Sequence, residues 1–185
     1  MRDCVVTQAD DDDDRVVERA RKNDADAWER LYERAYPRLL AFAARRVDQG
    51  RATEMVAETM ARAVASIDSF QLRGSGFDPW LFGICRNVIG DHHRRSFRER
   101  QHVEPSAVAL ADVGDGLVRT EEAAAMTVAY ARLSKDEREL LDLRVIAGLT
   151  AEQTAQVLGK QAGAIRMAQS RALDRLRRFF EEVYR

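Results

Sequence analysis

One run of the chain, residues 80–95, places two opposite surfaces on a single predicted helix. Its apolar residues recur every three or four positions, the spacing of a helix packed on one side: Trp80, Leu81, Ile84 and Val88. The other side carries the polar and basic residues Arg86, Asn87, Arg94 and Arg95, with Arg98 and Arg100 beyond. A glycine-rich segment, residues 71–78, directly precedes this helix. A basic helical face behind a flexible loop is the layout of a surface that captures nucleic acid.

The rest of the chain follows the same helical pattern. Ala, Arg, Glu and Leu are abundant, there are three prolines, and no stretch shows sustained alternation of apolar and polar residues. We therefore predict an all-α fold. The 185 residues suffice for two small helical domains with their own cores.

Composition marks where the domains begin and end. Residues 1–14 contain the run Asp10 to Asp14, which repels itself and buries nothing, so we expect a disordered acidic tail. Residues 101–120 hold Pro105, Gly114 and Gly116 without periodicity, which predicts a flexible acidic linker. The two predicted domains are residues 15–100 and 121–185.

Helix boundaries in the first domain follow from capping and breaking residues. We expect a helix from about Arg15 to Lys22, a break and N-cap at Asn23-Asp24, and a second helix from Ala25 to about Val47 that Pro37 kinks or splits. A turn at Gln49-Gly50 precedes a third helix, roughly Thr53 to Ile67. Asp78 is the predicted N-cap of a fourth helix that starts at Pro79.

The second domain shows the pattern of a helix-turn-helix. Two capping boxes, Ser134 to Glu137 and Thr150 to Gln153, open helices that Gly148 and Gly159 follow. A last, basic helix from about Ala162 to Tyr184 presents an apolar face of Ile165, Ala172, Leu176 and Phe179. Two helices joined by a short glycine-containing turn are typical of DNA-binding hairpins, although such hairpins also occur in proteins that never bind DNA.

The net charge of −1 conceals strong segregation of charge. Residues 1–14 contain six acids and one Arg, and residues 101–125 contain five acids and one Arg. By contrast, residues 86–100 contain five Arg and two acids, and residues 160–185 contain seven basic residues and three acids. Acidic segments alternate with basic helices, either to offset the basic surfaces or simply as solvated tails.

Several classes of protein are disfavoured by what the sequence lacks. Cys4 and Cys85 are the only cysteines, so neither a disulfide framework nor a zinc site is indicated, and a reducing cytoplasm is the expected location. No window is apolar enough for a membrane span, and the aspartate-rich N-terminus does not resemble a signal peptide. Asp91-His92-His93 matches a phosphoesterase signature, but His102 is the one further histidine, too few ligands for a two-metal site. We expect no cofactor, no metal and no enzymatic activity.

Two stretches of the chain together resemble a known family. Residues 54–63 (EMVAETMARA), the loop 71–78 and the run 80–95 resemble region 2 of the extracytoplasmic-function (ECF) sigma factors of bacterial RNA polymerase. Residues 133–176 resemble sigma region 4, including the turn Gly148 to Thr150 and the helix start Gly163 to Arg166. The ending further resembles an actinobacterial developmental subgroup. The resemblance implies a region 2 helical bundle, a region 4 helix-turn-helix and an alternative sigma factor that directs promoter-specific initiation.

For the minus-ten element, the resemblance implies that the loop 71–78 receives an unstacked base of a melted strand. The implied contact residues are Arg73, Gly74, Ser75, Phe77, Arg86, Asn87, Arg94 and Arg95. Phe77 has two interpretations, a platform for base stacking or an anchor of the loop in the core. Trp80 is expected in the core.

For the minus-thirty-five element, the resemblance implies that the last helix reads bases near its N-terminus. The implied base-facing residues are Arg166, Met167, Ser170 and Arg171, and the candidates for phosphate contact are Lys160, Gln161 and Arg175. Ala168 and Gln169 depart from the family pattern, which favours a basic and an apolar residue there. We therefore expect this helix to be slightly rotated or shifted.

The resemblance also implies protein partners. Glu54, Met55 and Glu58 occupy the helix that binds core RNA polymerase, although the pattern favours Asp at Glu54 and Gln at Ala57. The linker acids would mimic a nucleic-acid backbone in the RNA path, and an anti-sigma factor would control the protein. The alternative function is a stand-alone helix-turn-helix regulator, which would bind duplex DNA as a dimer and would not need residues 53–78. An enzyme is the third possibility and depends on the Asp91-His92-His93 motif alone.

Overall fold

The computed structural model describes residues 14–71, 76–100 and 121–184, and no strand occurs in these ranges. The chain divides into two compact units, residues 1–113 and 114–185. The predicted all-α, two-domain fold is confirmed. The expected tail, except for residue 14, and the expected linker 101–120 lie outside the described residues, as do Arg73, Gly74 and Ser75.

Four α-helices build the described part of the first unit. They are α1 (14–21), α2 (Ala25–Ala44), α3 (Gln49–Ser66) and α4 (Phe77–Arg100), and a 3₁₀ turn (Ile67–Ser69) follows α3. Helices α2, α3 and α4 pack on one another. Their fully buried side chains form one core, in which the rings of Phe42 and Phe82 meet edge to face at 5.5 Å: Leu31, Leu39, Phe42, Val56, Leu81 and Phe82.

The break between α1 and α2 lies where the sequence predicts it. Asn23 has a positive φ of 57°, a conformation that Asn tolerates better than most residues. Asp24 caps α2 by accepting a hydrogen bond from the Ala27 amide at 3.1 Å. Pro37 does not split α2, which continues to Ala44 as one helix.

Two helices of this unit begin earlier than predicted. Asp48 caps α3 through the Arg51 amide, so Gly50 lies in the first helical turn and not in a preceding loop. Helix α4 begins at Phe77, so Asp78 is in its first turn and is not its N-cap. The Asp78 carboxylate instead accepts hydrogen bonds from Arg38 at 2.6 Å and Arg34 at 3.4 Å.

The described part of the second unit contains four α-helices and a π-helical segment. They are α5 (Glu121–Ala131), α6 (Lys135–Leu141), the π segment (Asp142–Ile146), α7 (Ala151–Leu158) and α8 (Ala162–Tyr184). Both predicted capping boxes are present, at Ser134 with Glu137 and at Thr150 with Gln153. Gly159 ends α7 in the left-handed region at φ 64°, where a side chain would be strained.

Helix α8 packs against α5, α6 and α7 through its predicted apolar face. Ile165 is 1% exposed and packs with Leu140, Ala151 and Ala155. Ala172 packs with Leu133 and Leu141, next to the partly buried side chains of Tyr130, Leu176 and Phe179. The opposite face of α8 is thereby left to solvent. Among the helices described, none is long and apolar enough to cross a membrane.

Candidate nucleic-acid interfaces

The exposed face of α8 carries the residues expected to read the minus-thirty-five element. Thr150 caps α7, Gly159 turns the chain, and α8 begins at Ala162. The expected base-facing residues are all exposed, and their spacing places them on one face near the helix start: Arg166, Met167, Ser170 and Arg171. Lys160 and Gln161 are exposed in the turn before α8. This arrangement matches a recognition helix, whose N-terminal side chains enter the major groove.

Arg166 is held by an acidic residue of the preceding helix. Its guanidinium donates a hydrogen bond to the Glu152 carboxylate in the first turn of α7. The pKa of Glu152 lies below its ordinary value because of a backbone hydrogen bond, the Arg166 charge and the Thr150 hydroxyl, which together outweigh the effect of burial. The expected role of Arg166 in reading a base would therefore have to compete with this ion pair or be oriented by it.

Arg175, the expected phosphate contact farther along α8, also has an acidic partner. Its guanidinium lies 2.7 Å from the Glu137 carboxylate, whose side chain is 17% exposed. Burial alone would raise the pKa of Glu137, but hydrogen bonds from Ser134 and the Arg175 charge outweigh burial and lower it. Arg175 therefore links α8 to the capping box of α6, which sequence reasoning missed because the two residues are far apart in the chain.

A second basic face lies on α4. Arg86, Asn87, Arg94 and Arg95 are all exposed, and the seven-residue spacing of Asn87 and Arg94 puts those two on one stripe of the helix, with Arg86 and Arg95 on either side of it. Asp91 lies between them and accepts hydrogen bonds from Arg62 at 2.9 Å and from Arg94. The hydrogen bond from Arg62 is the largest cause that lowers the pKa of the Asp91 carboxyl, and the bond from Arg94 is the next. The face is therefore basic but partly neutralised by one fixed acid.

Phe77 is buried at the start of α4 and does not present a stacking surface. Its side chain is 3% exposed, and its ring centroid lies 5.4 Å from Trp80, 5.9 Å from Phe70 and 6.5 Å from Trp28. A base-stacking ring needs an accessible face. The assignment of Phe77 as a minus-ten contact thus gives way to the alternative interpretation, an anchor in the core.

An open groove separates α3 from α4. The residues expected to contact polymerase lie on its α3 side, where Glu54 and Glu58 are exposed and Met55 is half-buried. The other residues that line the groove are Arg62, Val88, His92 and Arg95. Glu58 accepts a hydrogen bond from Arg62 at 2.7 Å. The α3 wall of the groove therefore carries two acids, one of them paired with Arg62 of the same helix, and Arg95 on the α4 wall belongs to both the groove and the basic face of α4.

The histidine motif and the buried cysteine were also possible metal or thiol sites in the fold. His92 Nε2 lies 3.2 Å from a guanidinium nitrogen of Arg51, and no group of three or more potential metal ligands occurs in the described parts of the chain. Cys85 is buried, and burial raises the pKa of its thiol to about 11.

Comparison with known protein families finds two matches. Residues 31–99, from α2 to α4, match the model of Sigma-70 region 2, and residues 129–178, from the end of α5 into α8, match the model of Sigma-70 region 4. The matched ranges contain both exposed basic faces.

Curated and solved proteins give the same result. The chain is 33% identical over 176 residues to the ECF RNA polymerase sigma factor BldN of Streptomyces coelicolor, covering 90% of this chain and 65% of that relative. It is 32% identical over 181 residues to the ECF RNA polymerase sigma factor ShbA of Streptomyces griseus, covering 90% and 94% of the two chains. Among solved structures, the sigma factor RpoE of Bartonella quintana, in complex with the anti-sigma factor NepR, superposes with a TM-score of 0.62 at 30% identity, covering 83% of this chain and 96% of that one.

Proposed function

The chain belongs to the ECF group of sigma-70 family RNA polymerase sigma factors, and we propose that it binds core RNA polymerase and directs it to a subset of promoters. The observation that carries this proposal is the pairing of region 2 and region 4, in that order, with an exposed basic face on each. A stand-alone regulator would need only the second. In this proposal the protein is non-catalytic, needs no cofactor and acts in the cytoplasm. The polymerase, not this chain, performs RNA synthesis.

Each unit has a separate part in the proposed function. The exposed face of α8 binds the minus-thirty-five duplex, with Arg166 and Arg171 reading base edges and Lys160 and Gln161 contacting phosphates. The basic face of α4, with Arg86 and Asn87, holds the melted minus-ten strand. The α3 wall of the groove, Glu54, Met55 and Glu58, binds core polymerase. Charge supports the two DNA assignments, because basic residues outnumber acidic ones on both α4 and α8.

We further propose that an anti-sigma factor controls the chain. The related RpoE was solved bound to the anti-sigma factor NepR, and the chain covers 96% of that relative. A protein that occupies the basic faces would keep them from DNA until its release.

The polymerase interface is tested by charge reversal with a matched control. Glu54→Lys with Glu58→Lys should lower the affinity for core polymerase by at least about tenfold, equivalent to about 1.4 kcal/mol, because the two acids of the α3 wall are replaced by basic residues. The control is Glu29→Lys with Glu33→Lys, two exposed acids at the same spacing on α2. Circular dichroism checks that both variants stay helical. Equal affinity of the two variants would remove the proposed interface, and a wild-type chain that never co-purifies with core polymerase would refute the proposed function.

The DNA faces are tested with holoenzyme. Arg166→Ala should relax the base preference at one or two minus-thirty-five positions, since a bidentate Arg-guanine pair contributes about 1–3 kcal/mol of discrimination. Arg175→Ala should weaken binding evenly across sequences and reduce its salt dependence. Selection on randomised minus-thirty-five elements separates these outcomes. An Arg166→Ala holoenzyme that keeps the parental motif would contradict the assignment of this residue.

Strand capture by α4 is tested by promoter opening. Asn87→Ala should impair melting of the minus-ten region while leaving the affinity for core polymerase unchanged, because Asn87 is exposed on α4 and is not part of the hydrophobic core of the unit. Permanganate footprinting of holoenzyme on a cognate promoter measures opening, and the pull-down measures core affinity. Persistent melting in the variant would show that the capture site is misplaced.

A further inference from the structure

Arg144 connects three parts of the second unit: the π segment, the turn before α7, and α8. It lies in the π segment, and its Nε donates a hydrogen bond to Gln169 Oε1 on α8 at 2.7 Å. Its Nη1 donates to the backbone carbonyl of Leu149, in the turn before α7. Arg144 and Gln169 are both half-buried. A planar guanidinium with several fixed donors holds two acceptors in a defined relative position, which a flexible Lys does not.

Gln169 lies on the side of α8 that faces the protein, as does Ala168, which packs against the core cluster around Ile165. Ser170, one position later, and Met167, two positions earlier, are exposed, and Met167 is 64% exposed. Successive side chains on a helix are about 100° apart, so a bond that holds Gln169 inward also sets the direction in which Arg166 and Ser170 project.

A second link holds the same helix. Glu152 on α7 accepts a hydrogen bond from Arg166, and the Arg144 charge is one of the influences that lower the pKa of Glu152. Arg144 therefore lies near the acid that orients Arg166 and also binds Gln169 directly. The apolar core beneath α8, at Ile165 and Ala172, resists translation of the helix, but apolar contacts are non-directional and specify its rotation less sharply than a hydrogen bond does.

We propose that Arg144 and Gln169 are positioning residues that set the rotation of the recognition helix and thereby determine which minus-thirty-five bases the chain prefers. The inference depends on the proposed function, because it assigns α8 to promoter DNA. Neither residue contacts DNA in this role. It also explains why a polar residue can stand at position 169, where the family pattern favours an apolar one: here the position makes a directed bond to Arg144.

The test is a selection on randomised minus-thirty-five elements with holoenzyme containing wild-type chain, Gln169→Leu, Gln169→Glu or Arg144→Lys. Gln169→Leu keeps the size and loses the acceptor, and we expect a changed preference at one or more positions and about a tenfold loss of discrimination, equivalent to about 1.4 kcal/mol. Arg144→Lys should act in the same direction. Gln169→Glu keeps an acceptor for Arg144 and should restore the parental motif. Gln156→Leu, at an exposed position of α7, is the matched control and should behave as wild type.

Each other result has a definite meaning. A Gln169→Leu holoenzyme whose motif and discrimination match those of the Gln156→Leu control would overturn the proposal. A loss of affinity that is even across all sequences and parallels a fall in melting temperature would also overturn it, since it would show a purely structural bond. A wild-type holoenzyme that enriches no motif would contradict the proposed function itself, and the inference would then fall for that reason.

Discussion

Removal of the Asp78 carboxylate should destabilise the first unit, because this group joins the start of α4 to α2. Asp78 accepts a short hydrogen bond of 2.6 Å from Arg38 and a longer one of 3.4 Å from Arg34. The side chain of Asp78 is 18% exposed, that of Arg38 28% and that of Arg34 35%. The ion pair of Asp78 with Arg38 is therefore neither a solvated surface salt bridge nor a fully buried one.

The expected magnitude follows from these contacts. A hydrogen bond to a charged group contributes roughly 1.5–3 kcal/mol, and partial exposure places the Arg38 bond near the lower end. A carboxylate in the first turn of a helix adds about 0.5 kcal/mol through the helix dipole. We therefore expect Asp78→Ala to lower the free energy of unfolding by about 2 kcal/mol, or the melting temperature by about 8–16 °C for a unit of this size. Asp78→Asn, which keeps an acceptor, should lose about half as much.

Tryptophan fluorescence measures this unit alone. The chain has two tryptophans, Trp28 and Trp80, and both belong to the first unit. Asp68→Ala is the matched control, an exposed acid on the 3₁₀ turn of the same unit. Thermal or urea unfolding of the full chain, followed by fluorescence, compares the two variants. If Asp78→Ala shifts the transition no more than Asp68→Ala does, the bond from Arg38 does not stabilise the fold and the reasoning is refuted.

Three further predictions concern stability and reactivity. The pKa of Glu137 lies below its ordinary value of 4.5, so its ion pair with Arg175 stabilises the second unit above that pH and is lost on acidification. Glu137→Gln should flatten the acid dependence of far-UV circular dichroism, while the tryptophan fluorescence transition of the first unit stays as in wild type. Ile165→Ala removes a side chain that is 1% exposed and should cost about 2–5 kcal/mol in the second unit, an expectation that a transition unchanged in urea would contradict. In a Cys4→Ser chain, Cys85 should react with a thiol reagent at pH 8 only after denaturant is added, because the thiol is buried with a pKa of about 11; rapid labelling of the native chain would show that the core opens.

Local features were the part of the structure that sequence reasoning predicted well. The capping boxes at Ser134 and Thr150 and the bounds of α8 agree with the structure because their signals span only three or four residues. The start of α4 was wrong by two residues. Asp78-Pro79 has the sequence pattern of an N-cap and first helical residue, but Asp78 bonds to arginines of α2 instead, and no local rule contains that information.

The sequence by itself therefore determined the helical fold, the two-unit organisation, the family and the position of the two basic helices. The fold, the two units and the basic helices depend on periodicity, capping and composition, which are properties of residues close together in the chain. The family followed instead from the resemblance of residues 54–63, 71–78, 80–95 and 133–176 to sigma regions 2 and 4. The tertiary structure decided which partners the arginines have: Arg166 bonds to Glu152 and Arg144 to Gln169, 14 and 25 residues apart. It also decided that Phe77 is buried. Such contacts depend on how helices pack and rotate against one another, and many different packings are compatible with the same local pattern.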